Sequence, residues 1–138
     1  MEVSGKEVAD AISKKLQQGV GKLKIKPSLA IILAGDNPSS RIYVNNKIKK
    51  AEEIGIKVNL FEFSKDQAND CLKTIQKLNA DKKVHGIIIQ YPTYESWNFD
   101  DLVSKIDPKK DVDGFLPMSP YKGATALATW EMLTAFAY

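Results

Sequence analysis

Apolar residues recur along this chain at two spacings, and the alternation between the spacings lays out the fold. Val8, Ile12, Leu16 and Val20 repeat every four positions, which predicts an amphipathic first helix. Ser4-Gly5-Lys6-Glu7 precedes them with capping-box spacing, Ser4 as the cap and Glu7 reaching back. Residues 29–34 (LAIILA) are instead a continuous apolar run behind Pro27. It is too short for a helix and is bounded by turn residues, the pattern of a strand buried on both faces.

Gly35-Asp36-Asn37-Pro38 reads as a turn, with Asn37 as a helix cap and Pro38 at the first helical position. The helix that follows runs to Ile54 and stops at Gly55. Residues 57–63 then form a second strand, rich in Val58, Leu60, Phe61 and Phe63. Cys71, Leu72, Ile75 and Leu78 mark a third helix, and residues 84–90, centred on Ile87-Ile88-Ile89, a third strand of the buried kind. Beyond a loop holding Pro92, a short helix with Leu102, Val103 and Ile106 breaks at Asp107-Pro108. A loop rich in Pro and Gly leads to a last apolar helix over residues 124–137.

Strands alternating with helices predict an α/β fold: three layers, with a mainly parallel sheet and helices on both faces. Ligands of such sheets bind beyond the carboxyl ends of the strands. The residues least explained by packing collect there: Gly35, the helix bearing Tyr43, and Gln90-Tyr91-Pro92.

Length and charge narrow the function. A chain of 138 residues suits one domain with its own core. The net charge of +3 is small, and the lysine pairs at 14–15, 49–50, 82–83 and 109–110 are separated by acidic residues. That is a solvated surface, not a stripe that tracks phosphates, so no nucleic-acid partner is expected. Cys71 is the only cysteine and His85 the only histidine, which leaves no basis for a disulfide, a cysteine-rich metal centre or a histidine triad. Cys71 falls within an apolar helical pattern and reads as a small core side chain. The first residues do not resemble a signal peptide, and no apolar run suits a bilayer, so a cytoplasmic protein without a membrane partner is expected.

Two constellations carry candidate chemistry. On a helix, Tyr43 and Lys47 lie one turn apart, flanking the core stripe of Val44, Ile48 and Ala51. A lysine at the margin of a cleft serves as a general acid or base, and a tyrosine beside it offers an aromatic face and a hydroxyl. A lysine snorkelling over a partly buried tyrosine has the same spacing, and spacing alone favours it. Tyr-x-x-x-Lys also occurs in short-chain dehydrogenases, but the only close glycine pair, Gly19-Val20-Gly21, follows a helix and lacks the third glycine of a dinucleotide fingerprint. Asp111-Val112-Asp113-Gly114 fits neither a calcium loop, which would need a glutamate where Lys122 stands, nor an aspartyl phosphotransferase, which needs an apolar strand before it. A plain turn fits, and so does an aspartate held on a loop by Gly114 to receive paired donors from a ligand.

Three stretches, "LAIILAGDNPSSRIYVNNKIKKAEEIGIKV", "LNADKKVHGIIIQYP" and "IDPKKDVDGF", occur in an order and spacing that mark a family. From residue 3 to about 115 the chain resembles the N-terminal catalytic domain of the bifunctional methylenetetrahydrofolate dehydrogenase/methenyltetrahydrofolate cyclohydrolases. The resemblance implies a folate substrate, a homodimer, no metal, and NADP carried by a second, Rossmann-type domain. It implies a catalytic domain over residues 1–123 and a helix, 124–138, leading toward that second domain. It further implies that Lys47 handles protons and that Gln90 contacts and tunes it. Tyr43 would pack against the aminobenzoyl ring, Asp113 would bind the amino-pyrimidine edge of the pterin, and Ile89, Tyr91 and Pro92 would line the same pocket.

The chain departs from the family pattern after Phe115. A longer loop with an Asn-x-Gly-x-Leu element is usual there, whereas this sequence passes through "LPMSPYKGATALATWEMLTAFAY", in which Ala124-Thr125-Ala126 stands for the family's Cys-Thr-Pro. Tyr91, Thr93 and Tyr94 replace a usual leucine and proline. The rival expectation is a non-catalytic folate-binding or dimerisation module.

Overall fold

The computed structural model describes residues 4–136. Three strands, β1 (Ser28–Leu33), β2 (Lys57–Glu62) and β3 (Gly86–Ile89), form one parallel sheet in the order β2-β1-β3. Each β1 residue from Ser28 to Leu33 faces a β2 partner, Ser28 opposite Lys57 through Leu33 opposite Glu62, and Leu29 to Ile32 face Gly86 to Ile89 on the other side. The central strand is thus hydrogen-bonded along both edges and covered on both faces, which is why its sequence is a continuous apolar run.

The pleat divides that run between two cores. Ile31 and Leu33, with Ile88 of β3, pack against Val44 and Ile48 of α2 (Pro38–Glu53). Ala30, Ile32 and Ala34, with Ile87 and Ile89, pack against Cys71, Ile75 and Leu78 of α3 (Ala68–Ala80) and Leu102 and Val103 of α4 (Phe99–Ser104). The expected three layers follow. Burial pushes the Cys71 thiol up to about 11, in keeping with a packing role.

Local signals set the helix ends. Asn37 accepts the Ser39 N–H at 2.9 Å with Pro38 beginning α2, and Gly55, at φ +89°, turns the chain out of it. Ser4 caps α1 (Gly5–Gly21) by accepting the Glu7 N–H at 3.4 Å. The return bond expected from the Glu7 side chain is not made among the described residues.

Two expectations are modified. The third strand is shorter than 84–90, because the Val84 N–H closes a turn onto the Asp81 carbonyl, although Gln90 still extends the ladder by donating to Ile32 at 2.9 Å. The stripe on α1 buries only Val20, and Leu16 is half exposed, since both sheet faces are already occupied by α2, α3 and α4. Instead α1 lies beside α5 (Ala124–Phe136), with Met132 3.7 Å from the place a Cβ on Gly5 would take. The final helix expected to reach residue 137 is described to Phe136, and Leu127, Trp130 and Leu133 on it are exposed.

Ile32→Ala leaves a cavity in a fully packed face, whereas Leu133→Ala removes a side chain that is 63% exposed. Urea denaturation should show a loss of about 3 kcal/mol for the first and under about 0.5 kcal/mol for the second.

Candidate active site

The chain leaves β1 for α2 on one face and, after β2, returns through α3 on the other face to place β3 across β1. The strand order therefore reverses between β1 and β3, and the carboxyl ends of those two strands open a crevice. Gly35 follows β1 and Gln90 follows β3 at that edge. A Cβ on Gly35 would lie 2.9 Å from the Pro92 carbonyl oxygen, so glycine lets the two exits approach each other.

Gln90 is 8% exposed and fully engaged. Its amide Nε2 donates to the Tyr91 carbonyl at 2.7 Å, and Ser40 Oγ, on a buried side chain of α2, donates to the same carbonyl at 3.4 Å. These bonds turn Gln90 Oε1 toward α2, where it accepts from Lys47 Nζ at 3.1 Å. Lys47 Nζ thereby spends one hydrogen on Gln90, and its remaining hydrogen-bonding capacity is left for whatever enters the crevice.

A cleft of about 430 Å3 opens beside this pair, lined by Lys47, Ile89, Gln90, Tyr91, Asp113 and Phe115 and closed by residues 123–126 at the start of α5. Burial raises the Asp113 carboxyl above its ordinary value; nearby Lys47 opposes the shift and Asp111 adds to it. Gly114 has φ +68°, and a Cβ there would come within 2.8 Å of the backbone at residues 121–123. Only glycine lets the turn behind Asp113 lie against the segment entering α5.

Aromatic rings brace the wall. Phe99 meets Tyr91 edge-on at 5.1 Å and Phe115 edge-on at 5.5 Å.

Lys47, Ile89, Gln90, Tyr91 and Asp113 therefore line one cleft. Tyr43 and Pro92 do not line this cleft. Tyr43 is 62% exposed, one helical turn before Lys47, and Pro92 lines a neighbouring groove of about 350 Å3 with Gly35, Asp36 and Asn37. Sequence reasoning passed over Ser40, Phe115 and Thr125. Ser40 left a signal, a polar residue four positions before Val44 on the core stripe of α2; Phe115 and Thr125 fell within or beside stretches that carry the resemblance, but only tertiary packing brings them to the cleft. No group of three or more His, Cys, Asp or Glu among the described residues could hold a metal ion.

A proton-carrying amine, an amide that orients it and a carboxylate able to accept two parallel donors thus share one cleft. Known proteins with this sequence and fold agree on one family. The family model described as "Tetrahydrofolate dehydrogenase/cyclohydrolase, catalytic domain" matches residues 3–113. The bifunctional protein FolD of Nitrosomonas eutropha is 38% identical over 138 residues, covering 97% of this chain and 47% of the relative. That of Rickettsia bellii is 43% identical over 122 residues, covering 85% and 43%.

Among solved structures, the bifunctional methylenetetrahydrofolate dehydrogenase/cyclohydrolase FolD from Campylobacter jejuni superposes with a TM-score of 0.93 at 34% identity, over 98% of this chain and 53% of that one. The Trypanosoma brucei enzyme, complexed with NADP cofactor and inhibitor, has a TM-score of 0.93 at 26% identity, over 100% and 52%. The chain spans about half the length of the curated relatives it matches. By matched sequence and by superposed fold, this chain belongs to the tetrahydrofolate dehydrogenase/cyclohydrolase family.

Proposed function

We propose that this chain is the folate-binding catalytic unit of an enzyme of tetrahydrofolate one-carbon interconversion. The whole enzyme would oxidise 5,10-methylenetetrahydrofolate to 5,10-methenyltetrahydrofolate with NADP and hydrolyse the product to 10-formyltetrahydrofolate. The observation that carries this reading is the Lys47–Gln90 hydrogen bond opening on the same cleft as Asp113.

In hydrolysis, water adds to the cationic methenyl carbon, and the Lys47 amine takes the proton the water gives up. As the carbon–N5 bond of the tetrahedral intermediate breaks, the Lys47 ammonium returns its proton to N5, the hydroxyl of the intermediate releases its proton to solvent to become the formyl carbonyl, and the formyl group stays on N10. Gln90 holds the lysine nitrogen at the cleft through both transfers. Asp113 accepts two donors from the amino-pyrimidine edge of the pterin. Ile89 and Tyr91 line the ring site, with Pro92 shaping the loop behind. Tyr43, exposed above Lys47, packs on the aminobenzoyl ring once substrate is bound.

NADP supplies the hydride acceptor for the oxidative step. The residues of this chain do not fit it: Gly19 and Gly21 lie at the carboxyl end of α1, and no glycine-rich turn joins a strand to a helix among the described residues. We therefore assign residues 1–123 to the catalytic domain and residues 124–138 to a segment that closes the folate cleft at its start and leads toward a second, NADP-binding unit. A homodimer in the cytoplasm, with no nucleic-acid or membrane partner, completes the proposal. In its support, no helix among the described residues is long and apolar enough to cross a membrane.

Hydrolysis of methenyltetrahydrofolate, followed by the loss of its absorbance, should fall by about 100-fold or more in Lys47→Ala. Equal rates for the two proteins, with folate bound by both, would identify a non-catalytic folate-binding or dimerisation module instead.

Asp113 is also kept at a cost to stability. Its folded-state pKa lies above the unfolded one, so ionisation opposes folding at neutral pH, and the penalty fades as pH falls through the raised value. Asp113→Asn should raise the melting temperature at pH 7, lose that advantage below the ordinary carboxyl value of 3.8, and bind tetrahydrofolate more weakly.

A further inference from the structure

Two aspartates stand two residues apart at the cleft, and only one of them faces it. Asp111 is 1% exposed, and its backbone bridges Ile87 on the open edge of β3. Its Oδ2 accepts the Leu116 N–H at 2.8 Å, and its carbonyl oxygen accepts from Ser119 Oγ at 2.8 Å and from the Gly114 N–H at 3.2 Å. Three donors from beyond Asp113 thus converge on one residue before it. The side chains on either side anchor the turn in different layers: Val112 packs into the α2 face of the sheet and Leu116 into the α3 face.

We propose that Asp111 is the positioning residue for Asp113, its two acceptors drawing the 114–119 segment back over the β3 edge so that the Asp113 carboxylate is presented to the cleft. This deepens, and for its consequence in folate binding rests on, the function proposed above. The groups facing Asp113 are Lys47 from α2, the uncharged Gln90 after β3, and the uncharged residues 123–126 of the α5 start. Burial is the main cause of the upward shift at Asp113, and Asp111 is the carboxylate that adds to it. The deep burial of Asp111 is accounted for by a network whose carboxylate and carbonyl both serve the loop.

The test separates charge from tether. Asp111→Asn keeps an acceptor for the Leu116 N–H and removes the charge, Asp111→Ala removes both, and Ser119→Ala removes one bond to the carbonyl alone. In the full chain, a carbon-13 NMR titration of the Asp113 carboxyl should move to lower pH in Asp111→Asn. Exchange of the Gly114 and Leu116 amides should quicken roughly tenfold in Asp111→Ala, and less in Ser119→Ala. Calorimetry should show tetrahydrofolate binding weakened roughly tenfold in Asp111→Ala, with the acid limb of binding shifted to lower pH in Asp111→Asn.

A purely structural Asp111 would lower melting temperatures and leave the Asp113 titration unmoved. Asp113 titrations that superimpose in wild type, Asp111→Asn and Asp111→Ala overturn the proposal. So does unchanged protection of both amides in Asp111→Ala, or in Ser119→Ala should the former not fold. A wild-type chain that fails to bind tetrahydrofolate overturns the functional reading alone, because titration and exchange still decide the role of Asp111.

Discussion

The parallel pairing of β1 with β3 is the constraint on which the cleft depends. It pairs Ile32 with Ile89, so that the N–H of the next residue, Gln90, completes the ladder on the Ile32 carbonyl and the Gln90 side chain emerges at the cleft. The same packing requires α2 to cover Ile31, Leu33 and Ile88 with Val44 and Ile48. Covering that face leaves the flank bearing Lys47 within reach of Gln90. A burial requirement of the sheet and a polar contact at its edge are therefore met by one helix placement.

The polar groups of the cleft differ in how far they are committed. Gln90 spends its amide on Tyr91 and Lys47, and Asp111 spends its acceptors on the loop, so both are rigid. Asp113 is drawn in by the same loop, raised by burial, and opposed only by Lys47. Lys47 and Asp113 are thus the groups with hydrogen-bonding capacity left for a ligand. Such a division between groups that hold and groups left free is expected where one cleft must stay rigid and still offer donors and acceptors to a ligand.

The wall opposite Lys47 is built differently. Phe115 is half exposed and held by Phe99, while residues 123–126 enter from α5, a helix with no buried residue of its own. Gly114 makes that approach possible by letting the backbone at 121–123 pass within contact distance. The shortened segment after Phe115 therefore still delivers residues to the cleft. Thr125 stands among them.

Much of this was legible in the amino-acid order. The apolar run at 29–34 marked a doubly covered strand because a strand with two buried faces has no polar positions to alternate. Asn37-Pro38 and Gly55 marked the ends of α2 because capping and positive φ are local requirements. Lys47, Gln90 and Asp113 could be named from the family resemblance, yet Tyr43–Lys47 spacing alone favoured an ordinary helix flank. The tertiary structure decided that Lys47 bonds Gln90 while Tyr43 stays exposed, that Pro92 belongs to the neighbouring groove, and that Phe115 and Thr125 join the cleft. It also separated two aspartates of identical local chemistry, burying Asp111 and turning Asp113 outward. Periodicity and capping act within a few residues and so are written in the sequence. Burial and long-range hydrogen bonds, such as the Lys47–Gln90 bond between residues 43 apart, depend on several elements at once, and only the packed chain determines them.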